Sequence, residues 1–139
     1  MTSLAGKHIL LCEDHYLSAA ITIKTLEHAG ILVTRAGNGE DGLKIFSDSP
    51  VGFFDAIIMD IVMPHMNGLD AARKLRELQR SDAATVPIIA MTAKFIEEDR
   101  KKSIASGMDA HLSKPADPTQ LYSVIGSLIE DRQKRRTQI

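Results

Sequence analysis

Four groups of side chains in this chain could do chemistry together: the acid pair Glu13-Asp14, the single carboxylate Asp60, the hydroxyl of Thr92 and the amine of Lys114. Each stands at or just past the end of a short apolar run, namely Ile9 to Cys12, Ala56 to Met59, Val86 to Met91 and Ala110 to Leu112. Brought together, three carboxylates repel: two unit charges roughly 4 Å apart cost about 4 kcal/mol at an effective dielectric of 20. Either their pKa values rise or a cation sits among them. A donor set of carboxylate oxygens favours Mg2+. Lys114 adds a fixed positive charge and Thr92 a hydroxyl donor. A metal, an ammonium and a hydroxyl around a carboxylate form a clamp for a phosphoryl group in transfer, with Asp60 as the nucleophile that becomes an aspartyl phosphate.

Such chemistry requires elements that bring distant residues to one place. The run before Asp60 is almost unbroken and is followed by the turn-forming stretch Pro64 to Gly68, which reads as a strand buried on both faces. Ile9 to Cys12 and Ile31 to Thr34 read as two earlier strands, Val86 to Met91 and Ala110 to Leu112 as two later ones. Between and after them lie helical patterns. Tyr16 to Ala29 carries Tyr16, Ala19, Ala20, Ile23 and Leu26 on one face and stops at Gly30. Leu17 and Ile21 lie elsewhere on the wheel, so this helix is expected to be covered on two sides. Asn38-Gly39 opens a helix through Phe46, and Gly68 to Arg80 carries Ala71, Ala72, Leu75 and Leu78 at helical spacing. Ala93 to Ser106 has acids early and bases late, matching the helix dipole, with little apolar content, so it should face solvent or a partner. The last helix opens on Asp117-Pro118-Thr119-Gln120, with proline at the first helical position and capping-box spacing, and its stripe is Leu121, Val124, Ile125, Leu128 and Ile129. Strand then helix, five times over, implies a parallel sheet with helices on both faces. In such a sheet the carboxyl ends of the strands share an edge, and ligands bind there.

The bulk numbers permit this reading and exclude others. With 139 residues, 44% hydrophobic and 25% charged, the chain is one domain by length and large enough to bury roughly 68–70% of its unfolded surface. A net charge of -1 gives no global field for nucleic acid or an anionic membrane. The basic tail, Arg132 to Ile139, is too lightly charged for a nucleic-acid arm and reads as a solvated helix end. One cysteine, Cys12, excludes a disulfide framework and a cysteine metal site; it reads as a small core residue in a reducing, cytoplasmic setting. No stretch approaches the roughly 20 apolar residues of a membrane span, and no signal peptide precedes the first strand. His8, His28 and His65 read as surface residues, and Met63 with Met66 as packing.

The pieces Glu13-Asp14, DIVMPHMNG from Asp60, PIIAMTA from Pro87 and Lys114-Pro115 occur in order at strand ends. In this the sequence resembles the receiver (response-regulator) domain of two-component signalling, over Lys7 to about Asp131. The resemblance implies a flavodoxin-like (βα)5 fold, doubly wound, with sheet order 2-1-3-4-5. With the receiver placed at 7–131, residues 1–6 read as a flexible N-terminus and 132–139 as a basic C-terminal tail. By the same resemblance Asp60 is the phosphoacceptor, Asp14 and Asp60 ligate Mg2+ directly, Glu13 acts through water, and the backbone carbonyl of Val62 adds a ligand. Thr92, Lys114 and the amide of Ala93 would hold phosphoryl oxygens. Thr92 and His111 would be the switch residues, and the bond before Pro115 is expected to be cis.

LLCEDH, PIIAMTA and GMDAHLSKP are most similar to receivers carried on hybrid sensor histidine kinases. The implied phosphodonor is a histidine kinase or histidine phosphotransfer domain. The implied downstream surface spans residues 93–129, with no contact to nucleic acid or membrane, and a homodimer stays open. A stand-alone single-domain response regulator is the alternative. No enzyme activity is expected beyond self-phosphorylation and autodephosphorylation. Three departures stand out: His15 where such receivers often have Asn, an apolar Val62 and Lys94 at the positions facing the hydrolytic water, and His111 in place of the usual Tyr or Phe. Apolar Val62 points to a long-lived phosphoryl group. A Mg2+-dependent phosphohydrolase with an Asp nucleophile would carry a second Asp at Val62. An FMN carrier would not have the acidic loop CEDHYLS after its first strand, and a dinucleotide fold lacks its G-x-G-x-x-G.

Overall fold

The computed structural model describes residues 3–63, 66–93 and 97–137. Five strands and five helices alternate: β1 (His8–Cys12), α1 (Tyr16–His28), β2 (Leu32–Ala36), α2 (Gly39–Asp48), β3 (Ala56–Asp60), α3 (Gly68–Arg76), β4 (Ile88–Thr92), α4 (Glu97–Ala105), β5 (Ala110–Ser113) and α5 (Pro118–Thr137). The sheet is wholly parallel in the order β2-β1-β3-β4-β5, the expected flavodoxin-like arrangement.

Alternation along the strands divides the core in two, because successive side chains leave a strand on opposite faces. Leu10, Cys12, Ile57, Met59, Ile88 and Ala90 pack with Phe46 of α2 and Ala71, Ala72 and Leu75 of α3. Ile9, Leu11, Ile58, Ile89 and Met91 pack on the other face with Ala19 and Leu26 of α1 and Leu121, Ile125 and Ile129 of α5. Every residue of β3 and β4 is buried, which explains their unbroken apolar runs. Each such Leu or Ile contributes roughly 1.5–3 kcal/mol on leaving water.

Local chemistry accounts for the element ends. Asn38 and Asn67 cap α2 and α3, their side-chain oxygens accepting from the amides of Asp41 (2.7 Å) and Asp70 (2.9 Å). Asp117 caps α5 through the Gln120 amide at 3.0 Å, with Pro118 first in the helix. The β4 ladder begins after Pro87, not at Val86, since proline has no N–H; its carbonyl still accepts from Ile57 at 2.8 Å. β2 lies one to two residues later than the apolar run suggests, at Leu32–Ala36, because its register is set by pairing with all five residues of β1. α3 stops at Arg76 rather than Arg80, and α5 runs on through Thr137, so the start of the basic segment is helical.

The expectation for α1 needs correction. Leu17 and Ile21 are 64% and 63% exposed, and Tyr16 is 73% exposed. Only Ala19 and Leu26 of this helix are fully buried, with Ile23 packed beside them. The helix is covered on one side, and its first turns carry an uncovered apolar patch. No described helix is long and apolar enough to cross a membrane.

Candidate functional site

At the carboxyl edge of the sheet β1 ends in Cys12, β3 in Asp60 and β4 in Thr92, on adjacent strands. Parallel register therefore delivers Glu13, Asp60 and Thr92 to one place, and Lys114 arrives one residue past β5. Glu13, Asp14 and Asp60 each offer a carboxylate oxygen, all within 4.8 Å of one another. Glu13 and Asp60 are buried, while Asp14 is exposed. The Lys114 ammonium donates to Glu13 Oε1 and, at 3.1 Å, to Asp60 Oδ2. Asp60 Oδ1 accepts from the Val62 amide at 3.3 Å. Glu13 Oε2 accepts from the His15 amide at 3.1 Å.

These contacts split the two buried acids. Burial pushes the Asp60 carboxyl up to about 6; Lys114 pulls against that rise and the charge of Glu13 adds to it. Burial would raise Glu13 too, but its hydrogen bonds from Lys114 and the His15 amide prevail and hold it below its ordinary value. Burial would lower Lys114, yet its two carboxylate partners keep it above its usual value. Asp60 is thus the acid left short of positive charge. A trio of hard oxygen donors with one under-compensated member is chemically suited to a small divalent cation.

The β3–α3 loop returns close to the site. Gly68 donates its amide to the Ile61 carbonyl at 2.9 Å, and a Cβ on it would lie 2.1 Å from the Asp60 carbonyl oxygen. Only glycine permits that approach. The peptide bond between Lys114 and Pro115 is cis. The Lys114 amide donates to the Thr92 carbonyl at 2.8 Å, which ties the β5–α5 loop to the end of β4.

Thr92 is 4% exposed and Ala93 beside it is exposed. Val62 is turned outward, 73% exposed. His111 stands on β5 away from the carboxylates, its Nδ1 3.3 Å from the Ser103 hydroxyl, so it joins β5 to α4. Lys94 and His65 lie outside the described residues. Of the other residues singled out in the sequence, Cys12 is fully buried, its thiol pushed up to about 12 by burial. Met63 and Met66 pack in the core, and the His8 ring rests 4.6 Å from that of Phe53.

Two roles go beyond the sequence reading: the capping by His15 and the reach of Arg35. His15 caps α1, its Nδ1 accepting from the Ser18 amide at 3.3 Å; its position before a helical run was the available signal. Arg35 of β2 donates to the carbonyls of Glu13 and Asp14; no sequence signal marked it. Beside the carboxylates, α1 and the β5–α5 loop enclose a largely apolar groove of about 510 Å3, with Ile21, Met91, Pro115 and Leu121 among its lining residues.

Comparison with known proteins agrees with this geometry. The family model for the response regulator receiver domain matches residues 9–126. A probable histidine kinase 2 of Oryza sativa subsp. indica is 34% identical over 88% of this chain, and hybrid signal transduction histidine kinase I of Dictyostelium discoideum is 33% identical over 92%. The chain spans only 13% and 8% of those two proteins. Among solved structures, the receiver domain of sensor histidine kinase PA1611 from Pseudomonas aeruginosa PAO1, which has magnesium coordinated in its active site cleft, superposes with a TM-score of 0.81. It is 30% identical and covers 91% of this chain and 99% of its own. A CheY-like receiver domain protein from Methanospirillum hungatei JF-1 gives a TM-score of 0.82 at 26% identity, over 93% of this chain and 98% of its own.

Proposed function

The chain belongs to the response regulator receiver domain family, and on that premise we propose that Asp60 takes a phosphoryl group from a phosphohistidine and that the resulting phosphate switches a partner-binding surface. The observation that carries this reading is the Lys114 ammonium bonded to both Glu13 and Asp60 inside a trio of carboxylates at the carboxyl edge of the sheet. A clamp of that kind is arranged for charge on a transferring phosphoryl group.

In the transfer an Asp60 carboxylate oxygen attacks phosphorus, the P–N bond breaks, and its electron pair leaves on the imidazole nitrogen of the donor. Lys114 gives up a hydrogen bond to Asp60 and turns to a phosphoryl oxygen. Thr92 supplies a hydroxyl and Ala93 its amide to the others. Glu13, Asp14, Asp60 and the Val62 carbonyl are the groups that would hold Mg2+, which when bound neutralises the charge gathered on the carboxylates and phosphoryl oxygens. His111, through its bond to Ser103 of α4, relays the inward pull on Thr92 to the 93–129 surface. The shift is between two existing states, not a refolding.

The phosphodonor is a histidine kinase or histidine phosphotransfer domain. Uncovered Tyr16, Leu17 and Ile21 on α1, and Val62 two residues after the acceptor, offer apolar surface for such a partner. The length of the relatives and their kinase identity support an origin as the receiver module of a hybrid sensor kinase. Incubation with acetyl phosphate and Mg2+, read by intact mass, tests the reading. The wild type gains one phosphoryl mass and Asp60→Asn gains none; equal labelling of both, or of neither, overturns it.

A further inference from the structure

Arg35 sits on β2, one of the two edge strands, paired in register with Leu11. Its guanidinium reaches over the end of β1. Nε and Nη2 donate to the Glu13 carbonyl at 3.1 and 2.9 Å, and Nη2 also donates to the Asp14 carbonyl at 3.2 Å. The same group lies 6.0 Å from the centre of the Tyr16 ring, at the start of α1. One side chain therefore holds two successive carbonyls of the loop that carries two of the three carboxylates, and rests against the first residue of α1.

The chemistry of this grip differs from that of Lys114. Lys114 occupies carboxylate oxygens, the atoms that a cation would need. Arg35 bonds only backbone oxygens in the hydrogen bonds of this loop, and so leaves those carboxylates available. Its planar, forked donors hold two successive carbonyls in one fixed geometry, whereas an ammonium is a point charge whose donors rotate. Its positive charge also opposes the mutual repulsion that would swing Glu13 and Asp14 away from Asp60. The loop has a separate anchor, the Glu13 amide on the Ala36 carbonyl at 3.0 Å, so its junction with β1 is held without the guanidinium.

We propose that Arg35 is a positioning residue for the divalent cation site: it holds the acidic β1–α1 loop in the geometry that binds Mg2+, and so sets the Mg2+ concentration at which Asp60 can be phosphorylated. This rests on the function proposed above. Calorimetric titration of Mg2+ into the wild type, Arg35→Gln and Arg35→Lys tests it, together with labelling by acetyl phosphate across a range of Mg2+ concentrations. Arg35→Gln weakens Mg2+ by about tenfold, the lower end of what removing a support behind a metal ligand costs. Arg35→Lys falls between, since it keeps the charge but lacks the planar fork that sets both carbonyls in one geometry. The labelling rate at saturating Mg2+ stays within about twofold of wild type in both variants, because bound metal restores the loop.

An Mg2+ affinity in Arg35→Gln equal to that of wild type overturns the proposal. So does a labelling rate that stays depressed at saturating Mg2+, which would mark general damage. A wild type that binds no Mg2+ and takes no label overturns the proposed function itself, whereas a wild type that binds and labels beside an unaffected variant overturns only the role of Arg35.

Discussion

The Lys114 ammonium ion-pairs with Glu13, which stands 101 residues earlier in the chain, and in this structure it closes the mouth of the sheet over the acids. Its second bond, 3.1 Å to Asp60 Oδ2, makes the same amine both the partner of the nucleophile and a competitor for the oxygens of a metal. Opposite consequences for binding and for chemistry follow from that double role.

Replacing Lys114 with methionine removes the competitor and the phosphoryl clamp together. Mg2+ affinity rises by about tenfold, since the bound cation no longer displaces an ammonium, while the rate of labelling falls by roughly a hundredfold, as when one charge donor is lost from a transition state. Calorimetry and time-resolved intact mass read the two effects. A variant that loses affinity and rate together would contradict the assignment.

Asp60 destabilises the metal-free fold at neutral pH. Its folded pKa, about 6, lies above its unfolded value, so the folded state binds the extra proton between roughly pH 4 and 6. Stability from this group is present below the unfolded pKa and is lost as pH rises through about 6. Asp60→Asn is therefore more stable than wild type at pH 7.5 in chelator, by on the order of 1–2 kcal/mol, and the difference shrinks towards pH 4. Urea denaturation at several pH values checks this, and a destabilised variant at pH 7.5 refutes it.

Val62, exposed beside the acceptor, has no group that can orient an attacking water. The aspartyl phosphate proposed for Asp60 is therefore expected to be long-lived. Val62→Asn shortens its lifetime by about tenfold or less, because a neutral amide can direct water without taking its proton. Decay of the phosphorylated mass after removal of the donor measures it, and equal lifetimes in the two proteins refute the idea.

Arg80 ties the segment after α3 to the end of α2. It pairs with buried Asp82 at 2.6 and 2.9 Å, donates to the carbonyls of Phe46, Ser47 and Ser49 at the end of α2, and covers the Phe46 ring at 4.6 Å. Arg80→Ala leaves the Asp82 carboxylate buried without its cation and costs about 3 kcal/mol. Burial would raise Asp82, but Arg80 and the Gly52 amide hold it below its ordinary value. Its contribution is present above the unfolded pKa and is lost as pH falls through the depressed folded one, so the penalty of the variant narrows in acid. Denaturation midpoints at pH 7 and pH 3 test this; a penalty that does not change with pH points to lost packing alone.

The strand-helix alternation, the parallel sheet and the placement of Glu13, Asp60, Thr92 and Lys114 at strand ends were all legible in the sequence. Each depends on local pattern: apolar runs of strand length, helix openings such as Asn38 and Asp117, and the rule that parallel strands share a carboxyl edge. What tertiary structure decided is which groups meet across that edge. The pairing of Lys114 with Glu13, the reach of Arg35 from β2 to the acidic loop, and the close passage of Gly68 over the Asp60 carbonyl depend on strand order and register. So does the exposure of Leu17 and Ile21: an apolar residue on a helix is buried only if another element lies against that side. Periodicity along one segment describes its own faces, whereas contacts are made between segments that the chain holds far apart.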